Sequence, residues 1–255
     1  MNYYKLRIAY DGTAYAGWQK QPHGLSIADT LSAACTRVFR VPCVLVGASR
    51  TDAGVHAYDQ VARIGMALSI DPLRMMHALN NALPADIVIR SLETTDDQFH
   101  PQYHVAWKEY WYHLFLERPL PFTARFGWRL PEYIDHFDAE LFARTLELFV
   151  GTHDFTSFAR VEGDQHPVRT VDAIYVEQLA RYNAVRVVVR GEGFLRYQIR
   201  RMIGAALMVA RSDAVVSYGD IERLLEKPER TSPAFLKIPG QGLCLRRIVY
   251  KKEMV

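Results

Sequence analysis

A short segment at residues 49–57, with the sequence SRTDAGVHA, brings a carboxylate, a guanidinium and an imidazole close together along the chain. Within it, Asp52 is a candidate nucleophile, because an ionised carboxylate can form a covalent intermediate with an electrophilic carbon. The same string is also typical of an Asx turn, in which Asp52 bonds its own backbone and Gly54 adopts a left-handed conformation. The segment lies between two apolar strands, so we expect a loop on a rigid scaffold, where functional residues concentrate. The residue types alone leave both interpretations open.

A second group of candidates consists of Arg196, Arg200 and Arg201, which lie in a predicted helix over residues 196–210. A carboxylate in a cleft needs a nearby cation if it is to stay ionised, and Arg200 is a candidate for that cation. Arginines along one helix are also typical of a face that is solvated or turned toward phosphate groups. The helix pattern does not choose between these two roles.

Tyr112 belongs to a predicted aromatic strand over residues 107–116. Strand alternation puts Tyr112 on the same face as Tyr110 and Leu114, with Trp111, His113 and Phe115 on the other, and one of these two faces is core by default. A tyrosine at the edge of a cleft can instead stack on a nucleic-acid base, which is worth about 1–3 kcal/mol, and its hydroxyl can accept a proton. Core packing accounts for Tyr110, while Tyr112 remains a candidate for either role.

Two patterns that resemble cofactor or metal sites are incomplete. The Gly-Glu-Gly at 191–193 follows a strand, but Arg196 stands where a dinucleotide fingerprint needs its third glycine. His100 and His104 have metal-ligand spacing for a helix, yet Pro101 lies between them and no third ligand is nearby. The three cysteines are far apart and form no CxxC pair. We therefore expect no metal and no cofactor.

Hydrophobic periodicity predicts the elements that must position these residues. The first part of the chain has the pattern β-α-β-β-α-β, with Ser26 capping the first helix, Asp29 three residues later, and Asp71-Pro72 opening the second helix. The second part contains three helices and several strands, among them a strand over 171–178. Alternating elements of this kind predict an α/β (α+β) fold with two domains, 1–105 and 106–255, each with helices on one face of an antiparallel sheet. The two sheets are expected to join and to leave a cleft.

Composition limits the class of protein. The chain has 255 residues, of which 49% are apolar, and this is enough for a buried core. It is mildly basic, with a net charge of +3, and lysine accounts for only seven of the 31 basic residues. Arginine matches phosphate geometry well, so this bias favours an RNA partner, although high genomic GC content would produce it too. The chain has no apolar run of about 18 residues and no signal core, so we expect a cytoplasmic protein without a membrane segment.

The SRTDAGVHA segment resembles the G-R-T-D-x-G-V-H signature of the tRNA pseudouridine synthase A family. Further similar blocks follow in order along the chain: YDG at 10–12, GWQKQ at 17–21, Asn80–Pro84 with Asp86 and Ile87, Phe99–Pro101, Tyr110–Tyr112, His153–Phe158, Phe194–Gly204, and Gly242 with Leu243. The blocks extend over essentially the whole chain. Their number and order make a chance match implausible.

This resemblance implies an isomerase that converts uridine to pseudouridine at positions 38, 39 and 40 of the tRNA anticodon stem-loop, without a cofactor. It implies two ferredoxin-like halves sharing a mainly antiparallel sheet with a central basic cleft, and a homodimer in which both subunits contact one tRNA. The residue roles that it implies are Asp52 as nucleophile, Tyr112 against the target base, Arg200 paired with Asp52, Arg50 assisting base flipping, Leu243 packed on the uracil, Arg201 on phosphate and Thr51 in substrate binding.

Three positions depart from the family pattern. Ser49 replaces the usual glycine before Arg50, and Gln102 and His104 stand where arginine and serine are common. None of these changes removes a catalytic group. The loss of a charge at Gln102 puts one phosphate contact in doubt, so the set of modified uridines can differ from that of the family.

Two other functional classes compete with this interpretation. A non-catalytic RNA-binding module also has sheets with exposed aromatic residues, but it has no need for Asp52, and the RNP1 pattern is absent. A metal-dependent nucleic-acid hydrolase needs a cluster of carboxylates or histidines, which the sequence lacks.

Overall fold

A computed structural model describes residues 1–21, 24–130, 137–211, 214–230 and 235–251. The chain divides into two compact units: unit 1 comprises Met1–Ala106 together with the chain from Cys244 onward, and unit 2 comprises Trp107–Leu243. Both units combine helices with mainly antiparallel strands, which confirms the predicted α/β class. In the described ranges, no helix has both the length and the apolar character needed to cross a bilayer.

The helices are α1 (Ile27–Phe39), α2 (Pro72–Ala82), α3 (Ala139–Glu147), α4 (Gln198–Val209) and α5 (Tyr218–Glu226). The strands are β1 (Asn2–Tyr10), β2 (Cys43–Gly47), β3 (His56–Met66), β4 (Ile87–Thr95), β5 (Val105–Phe115), β6 (Trp128–Arg129), β7 (Gly151–Asp154), β8 (Val168–Val171), β9 (Ala173–Leu179), β10 (Ala184–Gly191) and β11 (Leu243–Tyr250). The predicted β-α-β-β-α-β order of the first part is observed.

The sheet of unit 1 is organised around β3. Strand β1 pairs antiparallel with β3 on one side and with β4 on its other side. Along its second edge, β3 pairs parallel with β11 at His56 and Ala57, and antiparallel with β2 further along. Alternation in β1 buries Tyr4, Leu6 and Ile8, as expected for a strand with one covered face.

The two helices of unit 1 begin where their capping residues predict. The Ser26 side chain accepts a hydrogen bond from the backbone N–H of Asp29 and donates to the Asp29 carboxylate. The Asp71 carboxylate caps α2 by accepting from the backbone N–H of Arg74, and Pro72 stands at the first helical position, where a missing N–H costs nothing. The helices pack against each other, and α2 also packs on β4.

In unit 2, β10 lies between β9 and β5, and both pairings are antiparallel. Helices α3 and α4 pack against each other. The predicted strand over 171–178 is divided at Asp172, because β8 pairs with β7 in a separate two-stranded sheet while β9 pairs with β10. The helix predicted from 196 begins only at Gln198, because Tyr197 adopts a left-handed conformation with φ of 65°.

At the outer edge of β4, one side chain forms hydrogen bonds with the backbone groups of Ile89. The amide of Asn80 in α2 donates to the carbonyl of Ile89 at 2.9 Å and accepts from its N–H at 2.8 Å. Because β1 pairs with the other edge of β4, this amide satisfies backbone groups that would otherwise need water. It also ties the end of α2 to the sheet.

We therefore expect Asn80→Ala to lower the free energy of unfolding by about 1–3 kcal/mol, because it leaves both backbone groups of Ile89 unsatisfied. Urea denaturation of the variant and the parent protein measures the change. Asn81→Ala is the matched control: Asn81 is exposed on the same helix, so it reports helix propensity alone, at about 0.5 kcal/mol or less. Equal losses in the two variants would contradict the assigned role of Asn80.

Candidate active site

Asp52 lies in a tight turn of the loop that joins β2 to β3. Its carbonyl accepts a hydrogen bond from the N–H of Val55 at 3.1 Å, and Gly54 within the turn has a φ of 74°. The left-handed glycine predicted from the sequence is therefore present. Asp52 is half-buried, Thr51 and Val55 are buried, and Arg50 is exposed.

A buried side chain fixes the backbone of the loop at the point where it follows β2. Gln60 in β3 is fully buried, and its amide donates to the carbonyl of Ser49 at 2.7 Å and accepts from the Ser49 N–H at 3.1 Å. The amide continues the β2–β3 hydrogen-bond ladder by one residue, after the bond from Ala48 N–H to the Val61 carbonyl. The backbone before Arg50 is thereby satisfied although it has left the sheet.

The middle of the loop is held through Thr51. Its hydroxyl lies 2.7 Å from the hydroxyl of Tyr10, and both side chains are buried. Its carbonyl accepts from the N–H of Trp18 at 3.0 Å, and the N–H of Gly54 donates to the carbonyl of Tyr15 at 3.2 Å. The residues on both sides of Asp52 are therefore bonded to the segment that follows β1.

Two glycines in that segment allow the loop to approach it. A Cβ at Gly17 would lie 2.6 Å from the carbonyl oxygen of Thr51, and Gly17 has a φ of 105°. A Cβ at Gly12 would lie 2.0 Å from the carbonyl oxygen of Val55. Such distances exclude any side chain, so the two backbones touch directly. This contact gives a physical reason for the YDG and GWQ blocks.

The loop ends at His56, the first residue of β3. Its Nδ1 lies 3.1 Å from the backbone nitrogen of Gly12 and 3.1 Å from a carboxylate oxygen of Asp11. Nδ1 accepts from the Gly12 N–H when it carries no proton, and it donates to Asp11 when it carries one, so only one bond forms at a time. In either state His56 anchors the loop to residues 11 and 12.

In unit 2, Tyr112 lies in the middle of β5 and is fully buried. Its hydroxyl donates to the carbonyl of Pro239 at 2.9 Å. Burial raises the pKa of the Tyr112 phenol far above its usual range, and the nearby positive charge of Arg200 opposes that rise. The phenol is therefore neutral at physiological pH.

Arg200 is buried on α4, and its Nε donates to the carbonyl of Ile238 at 2.7 Å. One turn later on the same face, Gly204 meets the same segment, since a Cβ there would lie 1.8 Å from the carbonyl oxygen of Leu236. The absence of a side chain at Gly204 lets α4 lie against residues 236–238. The guanidinium of Arg200 is consequently held in one place by the backbone.

Leu243 continues the same segment and is buried at the start of β11. Before it, Gly242 packs on the ring of Tyr112, where a Cβ would lie 2.4 Å from the ring. Tyr112, Arg200 and Leu243, predicted from three distant parts of the sequence, therefore meet along residues 238–243.

Arg201 takes a different direction from Arg200. Its Nη1 donates to the carbonyl of Ala159 at 2.8 Å, and its Nε is buried without a hydrogen-bond partner in the described part of the chain. Burial lowers the pKa of Arg201, Tyr197 opposes this effect, and the charge of Arg160 adds to it. Its predicted phosphate contact remains a prediction.

The departures from the family pattern have structural uses. The amide of Gln102 donates to the carbonyl of Gly47, the last residue of β2, at 2.9 Å. Ser49 is buried and bonded through its backbone. His104 has a φ of 57° and accepts from the N–H of Lys251 through its carbonyl. Gln102 therefore supports the strand that leads to the Asp52 loop.

Sequence reasoning missed two residues that position Asp52: Gln60 and Tyr10. The available signal was a polar residue inside an apolar strand, because Gln60 directly precedes Val61 and Ala62. Within the described ranges, no group of three or more metal-ligating side chains comes together.

Comparisons with known proteins agree with the sequence blocks. A family model described as tRNA pseudouridine synthase matches residues 7–104 and 146–251. The chain is 37% identical to tRNA pseudouridine synthase A 1 of Protochlamydia amoebophila, over 99% of this chain and 98% of that protein. It is 34% identical to tRNA pseudouridine synthase A of Thermodesulfovibrio yellowstonii (96% and 98% covered) and 37% identical to that of Chlamydia pneumoniae (96% and 91% covered). The chain therefore belongs to the tRNA pseudouridine synthase family, whose members are isomerases.

Proposed function

We propose that this chain isomerises uridine to pseudouridine at positions 38, 39 and 40 of the tRNA anticodon stem-loop, with Asp52 as the nucleophile. The reaction breaks the bond between uracil N1 and ribose C1′, turns the base and joins C5 to C1′. It needs neither a redox partner nor water. We also propose that the enzyme acts in the cytoplasm as a homodimer.

The observation that carries this proposal is that the backbone around Asp52 is held in place on both sides. Asp52 is the one acidic residue of the loop, and the residues on both sides of it are bonded to the scaffold through Gln60, Tyr10 and Trp18. A carboxylate on an immobilised turn can be held against a reacting carbon at little entropic cost. It can add to C1′ or to uracil C6, or it can permit loss of a ribose proton to give a glycal.

Arg200 is proposed as the cation that keeps Asp52 ionised. Taking a carboxylate out of water raises its pKa, and a fixed guanidinium lowers it again. The bond from Arg200 Nε to the Ile238 carbonyl fixes the position of the guanidinium, whose planar fork matches the two oxygens of a carboxylate. A guanidinium stays charged at any physiological pH, which suits a role that does not involve proton transfer.

Tyr112 and Leu243 are proposed as the residues that contact the target uracil, one with its ring and the other with its apolar side chain. Their positions depend on each other, because Gly242 packs on the Tyr112 ring and Leu243 follows it directly. The neutral phenol donates to Pro239, so the ring is held in a fixed orientation.

The remaining assignments concern RNA binding. Arg50 is exposed beside Asp52, where a cation can enter the space left by a flipped nucleotide. Thr51 contributes by holding the loop, since its hydroxyl is bonded to Tyr10. Arg201 is proposed to contact a phosphate group.

Asp52→Asn should bind tRNA with unchanged affinity and form no detectable pseudouridine, a loss of more than about a thousandfold, because the amide keeps the shape without the nucleophile. Mapping of product bases in tRNA that lacks anticodon-arm pseudouridine gives the readout. The control is Asp97→Asn, which removes an exposed carboxylate from another loop of the same unit. Substantial turnover by Asp52→Asn would overturn the assignment of the nucleophile.

Exhaustive chelation should leave activity within about twofold, since the described residues offer no metal-ligand cluster and an aspartate nucleophile needs no Lewis acid. The measurement is the initial rate before and after treatment with a chelator. Loss of turnover that zinc restores would show that the proposed mechanism is wrong.

Substitutions of Arg200 and Arg50 should affect the single-turnover rate differently. Arg200→Met should slow the chemical step on every substrate, because Asp52 loses its ionising partner. Arg50→Ala should slow paired targets more, because flipping a base out of a stem costs a few kcal/mol and costs least for a base that is already unstacked. Single-turnover rates at saturating enzyme are compared for two tRNAs, with the target uridine in the anticodon stem or at the edge of the loop.

For each variant, the rate on the tRNA with its target in the stem is divided by the rate on the tRNA with its target at the loop edge. A partly unfolded population lowers both rates equally, so this ratio does not depend on how much of the variant is folded. The expected ratio is unchanged in Arg200→Met and reduced in Arg50→Ala. Equal ratios in both variants would assign Arg50 to positioning Asp52 instead of to base flipping.

A further inference from the structure

An exposed aromatic residue in unit 1 is in contact with two arginines. Tyr58, in β3, is 45% exposed. The guanidinium carbon of Arg90 lies 4.0 Å from the centroid of its ring, and that of Arg246 lies 4.2 Å from it. Together with Asp59, these residues form what we term the Tyr58 cluster. None of its members has a part in the function proposed above.

The sheet topology of unit 1 creates this cluster from three strands. Arg90 belongs to β4, which is separated from β3 by β1, so it reaches Tyr58 across one strand. Arg246 approaches from the other side, because β11 pairs parallel with β3 and the register of Cys244 with His56 places residue 246 beside residue 58. In β4, Ile89 is buried and Arg90 is exposed, so the cluster is on the face of β4 opposite α2.

A buried carboxylate fixes the arginines in place. The side chain of Asp59 is only 8% exposed, and its two oxygens lie 2.5 Å from Arg7 Nη1 and 3.3 Å from Arg90 Nη1. Arg90 Nη1 also donates to the backbone carbonyl of Tyr58 at 3.1 Å. An arginine held in this way loses little side-chain freedom when it binds a ligand, which favours binding.

The chemistry of the cluster matches a phosphodiester. Three guanidinium groups, those of Arg7, Arg90 and Arg246, lie in contact with the ring of Tyr58 or with the carboxylate of Asp59. A guanidinium that packs on an aromatic ring keeps its N–H donors at the edge of its plane, where they can form paired bonds with phosphate oxygens. An ordered, positively charged surface of this kind is suited to the backbone of RNA more than to a neutral or basic partner.

The cluster is also close to the Asp52 loop. Tyr58 follows Asp52 by six residues, so the two α-carbons are separated by no more than about 22 Å even if the chain between them is fully extended. A phosphate bound at this distance can belong to a nucleotide that flanks a uridine held at Asp52.

We propose that Tyr58, Arg90 and Arg246 form a binding subsite for a phosphodiester group of the RNA that flanks the target uridine. Arg90 and Arg246 donate to the phosphate, Tyr58 orients both guanidinium groups, and Asp59 fixes Arg90. The inference rests on the proposed tRNA substrate, and it assigns to this face of unit 1 an RNA contact that is separate from the residues at Asp52.

The test compares Arg246→Gln with Arg74→Gln. Arg74 is exposed on α2, which packs on the opposite face of β4, so both variants lose one positive charge but only one loses it from the cluster. Dissociation constants for tRNA are measured over a series of salt concentrations. Arg246→Gln should weaken binding roughly three- to tenfold and lower the slope of log affinity against log salt by about one, while Arg74→Gln should match the parent protein.

The role of the ring is tested with Tyr58→Leu and Tyr58→Phe. Leucine removes the surface on which the guanidinium groups pack and should weaken tRNA binding at least about threefold, whereas phenylalanine keeps that surface and should bind within about twofold of the parent protein. For Arg246→Gln and Tyr58→Leu, the loss should lie mainly in the dissociation constant, with a fall of less than about twofold in the single-turnover rate at saturating enzyme.

The outcomes separate this proposal from the function on which it rests. If the parent protein forms pseudouridine and Arg246→Gln matches Arg74→Gln in affinity and in salt slope, the subsite is overturned alone. If Arg246→Gln loses affinity while the parent protein forms no pseudouridine in tRNA, the subsite stands and the proposed function fails. A fall in the saturating rate with an unchanged dissociation constant would show a structural role and would overturn the subsite.

Discussion

The candidate site depends on a contact between two stretches of backbone that leaves no room for a side chain. The Asp52 loop lies directly against the segment after β1, at Gly12 and Gly17, where a Cβ would overlap carbonyl oxygens of the loop. This closeness lets Trp18 and Tyr15 bond to the loop through their backbones. Since an error of about 1 Å in the position of a catalytic group can cost two orders of magnitude in rate, a loop fixed in this way is suited to holding a nucleophile.

Irregular backbone near a core must satisfy its polar groups without the help of a sheet, and here buried side chains do so. Gln60 pairs with both backbone groups of Ser49, and the hydroxyls of Tyr10 and Thr51 bond to each other. A buried network of this kind is favourable only when every member is satisfied, because an unpaired polar group in a low-dielectric environment is costly. The network therefore specifies one conformation of the loop, and it explains why a glutamine occupies an otherwise apolar strand.

In unit 2, glycines also allow a backbone segment to lie close to its neighbours, and here the segment orients side chains. Gly204 brings α4 against residues 236–238, and Gly242 lies on the ring of Tyr112. Backbone carbonyls of this segment then accept hydrogen bonds from Tyr112 and Arg200. The segment thus orients a neutral phenol and a permanent cation together. Burial raises the pKa of the Tyr112 phenol and keeps it protonated, although the nearby charge of Arg200 opposes that rise.

Features that depend on neighbours in the chain were predictable from the sequence. These include the helix starts at Ser26 and Asp71, the left-handed Gly54 in the Asp52 turn, and the α/β order of elements. Family membership was also evident from the residues alone, because its motifs are short, ordered blocks. Capping, turn chemistry and hydrophobic period act over a few residues, so their signals are local.

Only the tertiary structure decided which distant residues meet. It brings β11 beside β3 although the two strands are separated by most of the chain, and this pairing places Arg246 on Tyr58. It pairs Gln60 with Ser49. It also shows that α4 begins only at Gln198, because Tyr197 has a left-handed conformation. Strand pairing and buried polar bonds depend on long-range packing, and a linear pattern of residue types does not record which partner fills each position.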